Sequence, residues 1–193
     1  RAVSWQFVLV GAAAGLAGFV DAIVGGGGLV LLAGVLLAPV HAQDVIKIGE
    51  INSYKAQPAF LEPYKKGMEL AVDEINASGG ALGKKVQLII RDDNANPGDA
   101  VRAAEELLSR EKVDVLTGSF LSHIGLALTD FAKQKKFFFL AGEPLTDKIV
   151  WQNGNRYTYR LRPSTYMQVS MLVPDAAALK KKRWALVYPN YEY

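Results

Sequence analysis

Residues 112–130, KVDVLTGSFLSHIGLALTD, decide the fold of this chain. An apolar run rich in β-branched residues stops at Gly118 and Ser119, and from Ser122 onward apolar residues recur at helical spacing. The stretch therefore predicts a strand, a turn of small residues and a helix. In an open parallel sheet such a turn lies at the carboxyl end of its strand, where ligands bind. Ser122 is predicted to be the N-cap of the helix, and its hydroxyl either satisfies the helix alone or shares that work with an anionic ligand group.

The same alternation of strand and helix continues on both sides of this stretch. Strands are predicted at residues 45–51, 85–91, 137–140 and 156–161, and helices at 60–77 and 98–110. Short connections between alternating strands and helices are typical of a doubly wound parallel α/β sheet, which is the predicted fold class. A helix at 164–179 and a strand at 184–188 would begin a second α/β unit, so we expect a second lobe that is truncated in this chain.

The first 44 residues differ in character from the rest. Residues 7–40 contain one ionisable side chain, Asp21, and the run exceeds the roughly 20 residues needed to span a bilayer. We expect residues 7 to about 38 to be helical, with a break at the glycines of 25–28. Residues 29–43 are typical of a signal peptide, with a cleavage site after Ala42 but no charged leader. The chain does not begin with Met, so a cleaved signal, a membrane anchor and a fusion all remain open.

Composition excludes several kinds of function. The chain of 193 residues is half hydrophobic, and its net charge of +3 comes from 22 basic and 19 acidic residues. The basic residues lack interleaved aromatic residues, so we do not expect nucleic-acid binding. The absence of cysteine excludes disulfides and thiol chemistry, and His41 and His123 have no partner at metal spacing. Asp92 and Asp93 are interpreted as capping the end of a strand, so neither an enzyme activity nor a cofactor is predicted.

The order and spacing of several motifs carry a resemblance to a known family. These motifs are IKIGEINSYKAQPAFLEPYKKGMELAVDEINASGG, VQLIIRDDNANPGDAVRAAEELLSREKVDVLTGSFLS, FFFLAGEP, RYTYRLRPS and KRWALVYPNYEY. Together they resemble the extracytoplasmic solute-binding proteins of branched-chain-amino-acid-type ABC transporters, which have a two-lobed type I periplasmic binding fold. The resemblance implies an N-terminal ligand-binding lobe at residues 44–162 and the start of a second lobe at 163–193. Residues 1–29, in contrast, resemble the first helix and glycine-rich break of the sulfite exporter and anion permease family.

The resemblance also implies a set of ligand contacts. Ser122 matches the hydroxyl residue that binds the ligand carboxylate, and its loop neighbours line the same site. An aromatic residue at the start of the first helix matches the wall of the side-chain pocket, although core packing is an equal alternative for such residues. The implied ligand-binding residues are Phe60, Phe120, Leu121, Ser122, Gly142, Glu143 and Tyr193.

Glu143 departs from the pattern of familiar amino-acid binders, which carry small or hydroxylated residues at that position. A carboxylate there would repel a ligand carboxylate and favour an amine. Alternatively, Glu143 caps a turn or forms a surface salt bridge near Lys148. Specificity for branched-chain amino acids is therefore in doubt.

The resemblance implies a periplasmic or extracytoplasmic component of an ABC importer. Its partners would be a small ligand, an amino acid or similar carboxylate, and a membrane permease, with membrane contact through the N-terminal segment if that segment is not cleaved. Two alternatives remain: a fragment of an anion permease, and the ectodomain of a ligand-sensing receptor. A permease would need further spanning helices, and no second apolar run of about 18 residues follows.

Overall fold

A computed structural model describes residues 45–188, 190 and 191. In this part of the chain strands and helices alternate as the sequence predicts. The strands are β1 (Val45–Asn52), β2 (Lys85–Asp92), β3 (Val115–Gly118), β4 (Phe139–Ala141) and β5 (Thr158–Arg160). The α-helices are α1 (Pro58–Ala77), α2 (Pro97–Glu106), α3 (Ser122–Lys135) and α4 (Thr165–Ala178). A π-helical turn (Leu107–Glu111) extends α2, and a short 3-10 helix (Asp147–Ile149) follows β4.

The strands form one sheet in the order β2-β1-β3-β4-β5, and each neighbouring pair is parallel. The predicted parallel α/β lobe is therefore confirmed, and all carboxyl ends lie at one edge. The chain leaves β1 toward β2 on one side and returns to place β3 on the other. In such sheets the crevice beside the strand where the order reverses is the usual ligand site.

Alternating side chains of the strands supply two apolar clusters. Ile51 belongs to a large cluster that includes Leu116, Phe139 and buried residues of α2 and α3. Ile46 and Ile48 belong to a smaller cluster with Val72 of α1. Since successive side chains of a strand point to opposite faces, helices cover the sheet on both sides, as a doubly wound fold requires.

The helix starts follow the local sequence. Asn96 Oδ1 accepts hydrogen bonds from the backbone N–H groups of Gly98 (2.8 Å) and Asp99 (3.1 Å), and Pro97 occupies the first turn, where its missing N–H costs nothing. The hydroxyl of Ser164 accepts a hydrogen bond from Met167 N at the start of α4. Both starts lie within a residue or two of the predicted ones.

The prediction of a strand at residues 184–188 is wrong, since these residues are in no strand. A strand needs a neighbour to pair with, and the part of the chain that the structure describes offers none beside this segment. Among residues 45–188, 190 and 191, no helix has the length and apolar character needed to cross a membrane. The predicted apolar helix of residues 7–38 and its break at 25–28 lie outside the described residues.

Candidate functional site

The carboxyl ends of β1, β3 and β4 meet in register at the edge beside the reversal of strand order. Ile51 pairs with Gly118, and Gly118 pairs with Ala141. The loops that leave these three strands are therefore adjacent. The predicted ligand-binding residues of the β3–α3 loop and of the β4 loop lie in two of them.

Gly118 lets the β3–α3 loop approach β1 very closely. Its φ is +116°, and a Cβ placed there would lie 2.3 Å from the carbonyl oxygen of Ile51. That carbonyl accepts a hydrogen bond from Ser119 N at 2.8 Å, and Ser119 itself is in the left-handed region with a φ of 69°. A side chain at position 118 would push the loop away from the strand.

Asn52 fixes the next residue of the same loop. Its Oδ1 accepts hydrogen bonds from the backbone N–H groups of Phe120 (2.8 Å) and Ser53 (3.1 Å). Asn52 and Ser53 are both fully buried. Asn52 Oδ1 thus bonds to the loop after β1 and to the loop after β3, and this fixes the ends of the two strands relative to each other.

Ser122 is not the N-cap of α3, so that prediction is wrong. Leu121 is the N-cap, with extended backbone angles and no capping side chain, and Ser122 is the first helical residue. The Ser122 hydroxyl instead accepts a hydrogen bond from Thr146 N at 3.2 Å and ties α3 to the loop after β4. Its backbone N–H donates to the hydroxyl of Tyr191, so an oxygen atom lies at the amino end of α3.

The structure places two of the predicted aromatic contacts against each other. The rings of Phe60, on α1, and Phe120, in the β3–α3 loop, stack with centroids 5.6 Å apart and planes 21° apart. Phe60 is 64% exposed, so this ring does not lie in the core. The other loop residue, Leu121, packs partly buried against the large apolar cluster.

The loop after β4 joins the β3–α3 loop through its backbone. Gly142 N donates to Gly118 O at 2.8 Å, and Glu143 N donates to Ser119 O at 3.3 Å. The carboxylate of Glu143 lies 3.8 Å from Arg162, which is the salt-bridge partner that the structure shows for it. Burial raises the pKa of Glu143 above its usual value, and the charge of Arg162 opposes that rise.

A group of buried polar residues lies beneath these loops, and sequence reasoning missed most of it. Glu50 is fully buried in β1 and accepts a hydrogen bond from the Tyr54 hydroxyl at 2.7 Å. Burial raises the pKa of Glu50 to about 8, while the hydrogen bond from Tyr54 and the polar side chain of Asn52 nearby oppose the rise. Burial also raises the pKa of Tyr64 on α1. The sequence contains one signal for this buried polar group, which is a Glu within a strand that is covered on both faces.

The interpretation of Asp93 as a cap at the end of a strand is confirmed, and its side chain also contacts the loop after β1. Its Oδ1 accepts hydrogen bonds from Ala95 N (2.8 Å) and from the hydroxyl of Ser53 (2.6 Å). The turn after β2 is thereby joined to the loop after β1. Burial raises the pKa of Asp93, and the hydrogen bonds from Ser53 and Ala95 oppose the rise.

The remaining predicted contact, Tyr193, lies outside the described residues. Of the seven predicted residues, the structure therefore brings six to the edge formed by the ends of β1, β3 and β4. Whether they touch a ligand stays a prediction. Among the described residues, no group of His, Asp and Glu side chains is arranged to hold a metal ion.

Comparison with known proteins gives relatives of one kind. A Leu/Ile/Val-binding protein homologue from Brucella melitensis is 31% identical over 144 residues, which cover 74% of this chain and 35% of that protein. An amino acid binding protein from Pseudomonas aeruginosa is 35% identical over 83 residues, covering 42% of this chain and 22% of that protein. The chain spans about a third of the length of the Brucella relative that it matches.

Solved structures with the same fold contain two kinds of ligand. A branched-chain amino acid transporter substrate-binding protein from Streptococcus pneumoniae, in complex with isoleucine, has a TM-score of 0.57 and 26% identity over 62% of this chain and 34% of its own. A solute-binding protein of an ABC transporter from Rhodopseudomonas palustris, in complex with 3,4-dihydroxybenzoic acid, has a TM-score of 0.61 and 27% identity over 72% of this chain and 37% of its own.

The family model described as Periplasmic binding protein matches residues 45–193. This range includes the whole sheet and every loop of the candidate site. On this match, which covers more than half of the sequence, the chain belongs to the periplasmic binding protein family.

Proposed function

We propose that the chain is the extracytoplasmic solute-binding component of an ABC importer, and that it binds an amino acid or a small aromatic carboxylate. The observation that carries the proposal is the amino end of α3 with an exposed aromatic ring nearby. The N–H groups and dipole at the start of a helix favour an anion, and a ring or apolar chain can stack on Phe60. The ligands of the two solved relatives have these two parts.

The ligand carboxylate would take the place of the Tyr191 hydroxyl beside Ser122 N. Since the Ser122 hydroxyl accepts its hydrogen bond from Thr146, it keeps its own proton to donate to the ligand. A hydrogen bond from a hydroxyl to a carboxylate is charge-assisted and stronger than a neutral one. The carboxylate of Glu143 would attract a ligand amine. The positive charge of Arg162, 3.8 Å away, would weaken this attraction.

The second lobe would close over the ligand from the opposite side, and closure would signal occupancy to a membrane permease. These steps belong to the two-lobed relatives and are part of the proposal. The assignments of residues 1–29, 29–43 and 163–193 to a permease-like segment, a signal-like segment and the start of a second lobe also stay proposals. A membrane anchor formed by the N-terminal segment also stays a proposal.

Binding can be tested by NMR titration of the chain with isoleucine and with 3,4-dihydroxybenzoate. One lobe desolvates only one side of a small ligand, so we expect dissociation constants of about 1 mM or weaker. Amide shifts should be concentrated at Phe60, Phe120 and Ser122, and Phe60→Ala should reduce the response to the aromatic acid more than Leu70→Ala, an exposed control on the same helix. Saturable shifts elsewhere, or no shifts with either probe, would refute the proposed site.

A further inference from the structure

Glu50 occupies an unusual position for an acidic residue. It lies in β1, between β2 and β3, and its side chain is fully buried. The Tyr54 hydroxyl donates to Oε2, whereas Oε1 has no hydrogen-bond partner among the described residues. A buried polar atom without a partner is costly, so a group that persists there calls for a physical explanation.

The unpaired oxygen lies directly against the end of β3. A Cβ placed on Gly118 would be 2.8 Å from Glu50 Oε1. Two hydrogen bonds hold the following loop onto β1 at this point, from Ser119 N to Ile51 O and from Phe120 N to Asn52 Oδ1. The end of β3 and the loop that follows it therefore cover Glu50 Oε1 on one side.

Among the described residues, the groups that interact most strongly with the Glu50 carboxyl are polar or acidic. They are Tyr54 and Asn52 from β1 and its loop, Asp93 from the turn after β2, Tyr64 from α1 and Glu143 from the loop after β4. The charges of Asp93 and Glu143 both disfavour ionisation of Glu50. Burial raises the pKa of Glu50 to about 8, which favours the neutral carboxyl at pH 7.

We propose that Glu50 is a positioning residue that keeps the β3–α3 loop closed onto β1 while its carboxyl is neutral, and that releases the loop when the carboxyl ionises. A buried carboxylate needs water or donors, and separating residues 118–120 from β1 would expose the side of Oε1 that Gly118 covers. This inference goes beyond the proposed function and does not depend on the ligand, because the loop contacts are present without one.

The test is hydrogen exchange of the 193-residue chain without ligand, at a series of pH values from about 6 to about 9.5. Protection factors, corrected for the intrinsic pH dependence of exchange, are compared for the amides of Ser119 and Phe120. We expect them to fall by up to about 10-fold for each pH unit below the Glu50 pKa of about 8 and to level off above it, because the carboxyl is then ionised in the closed and the open form alike. The amide of Val86, which donates to Asn76 Oδ1 at the opposite edge of the sheet, is the internal reference for global unfolding and should lose less protection than Ser119 and Phe120. An equal loss at Val86 would show that global unfolding, and not release of the loop, exposes these amides.

Three variants assign the effect to Glu50. Glu50→Gln keeps the shape without the charge, so protection at Ser119 and Phe120 should no longer depend on pH. Glu62→Gln, at an exposed position of α1, should behave as the unaltered chain. Tyr54→Phe removes the hydrogen bond that favours the ionised form of Glu50. The pH at which the loss of protection levels off should therefore move to a higher value.

Two results would overturn the proposal. One is the same pH-dependent loss of protection in Glu50→Gln, and the other is constant protection in the unaltered chain. If Glu50→Gln does not fold, Tyr54→Phe decides, since an unshifted transition would show that another group titrates.

Discussion

Ser122 connects the start of α3 to the loop after β4 through a single hydroxyl oxygen. Ser122→Ala removes the acceptor of the Thr146 N–H, at a site where Ser122 is 1% exposed. A buried hydrogen bond contributes about 1 kcal/mol net, so we expect the free energy of unfolding to fall by roughly that amount in urea denaturation.

The matched control for this change is Ser78→Ala. The Ser78 hydroxyl donates to Glu74 O at 2.9 Å at an exposed position after α1. Water can replace an exposed hydrogen bond, so the loss there should stay within about 0.5 kcal/mol. Equal losses at the two positions would contradict the connecting role of Ser122.

At the scale of elements, the β3–α3 turn requires glycine for two independent reasons. Gly118→Ala would place a Cβ 2.3 Å from Ile51 O, at a φ of +116° that side chains rarely adopt. We expect a loss of unfolding free energy of more than about 2 kcal/mol, because strain and the separation of β1 from β3 add together. Thermal unfolding followed by circular dichroism measures this loss.

Gly67→Ala is the contrasting substitution within the same chain. Gly67 lies inside α1, and a Cβ there would meet nothing within 4 Å. Alanine favours a helix over glycine by about 1 kcal/mol, so this variant should be more stable than the unaltered chain. If both glycine variants lose stability alike, the strain argument at Gly118 is wrong.

The sequence predicts the elements of this lobe better than their contacts. Apolar runs and turn residues locate every strand of the sheet to within about two residues, because the spacing of side chains follows directly from burial. The order β2-β1-β3-β4-β5 depends on pairing between distant segments, which local patterns do not encode.

Local sequence patterns likewise do not encode the contacts of individual polar side chains at the candidate site. Ser122 has the residue type and position of an N-cap. In the structure, however, its hydroxyl accepts a hydrogen bond from Thr146 N, and Leu121 is the N-cap. Glu50 was missed because a single Glu in an apolar strand does not reveal which neighbours will surround it. The proximity of Phe60 and Phe120 was implied by the family resemblance and not by periodicity.

For the molecule as a whole, buried acids determine how stability depends on pH. The pKa of Glu50 rises from 4.5 to about 8 on folding, and the pKa values of Asp93 and Glu143 also rise. Above pH 4.5 the unfolded chain releases the Glu50 proton, while the folded chain keeps it up to about pH 8. The folded state then binds more protons, so the free energy of unfolding falls as the pH rises from about 5 to about 8.

Urea denaturation across this pH range measures the dependence. The slope contributed by Glu50 can reach about 1.4 kcal/mol per pH unit, and it should vanish above the folded pKa. Glu50→Gln should flatten the profile, leaving the contributions of Asp93 and Glu143. A chain that becomes more stable between pH 5 and pH 8 would contradict the buried, neutral state of Glu50.

The sheet order also governs how the chain folds while it is being made. Strand β1 emerges from the ribosome first, yet it pairs with β2 on one side and with the later β3 on the other. Until β3 has been synthesised, the nascent chain exposes one unpaired edge of β1, with Glu50 and Asn52 open to water. The polar side chains that later become buried therefore keep this edge hydrated during translation, when pairing with a neighbouring nascent chain would be most harmful.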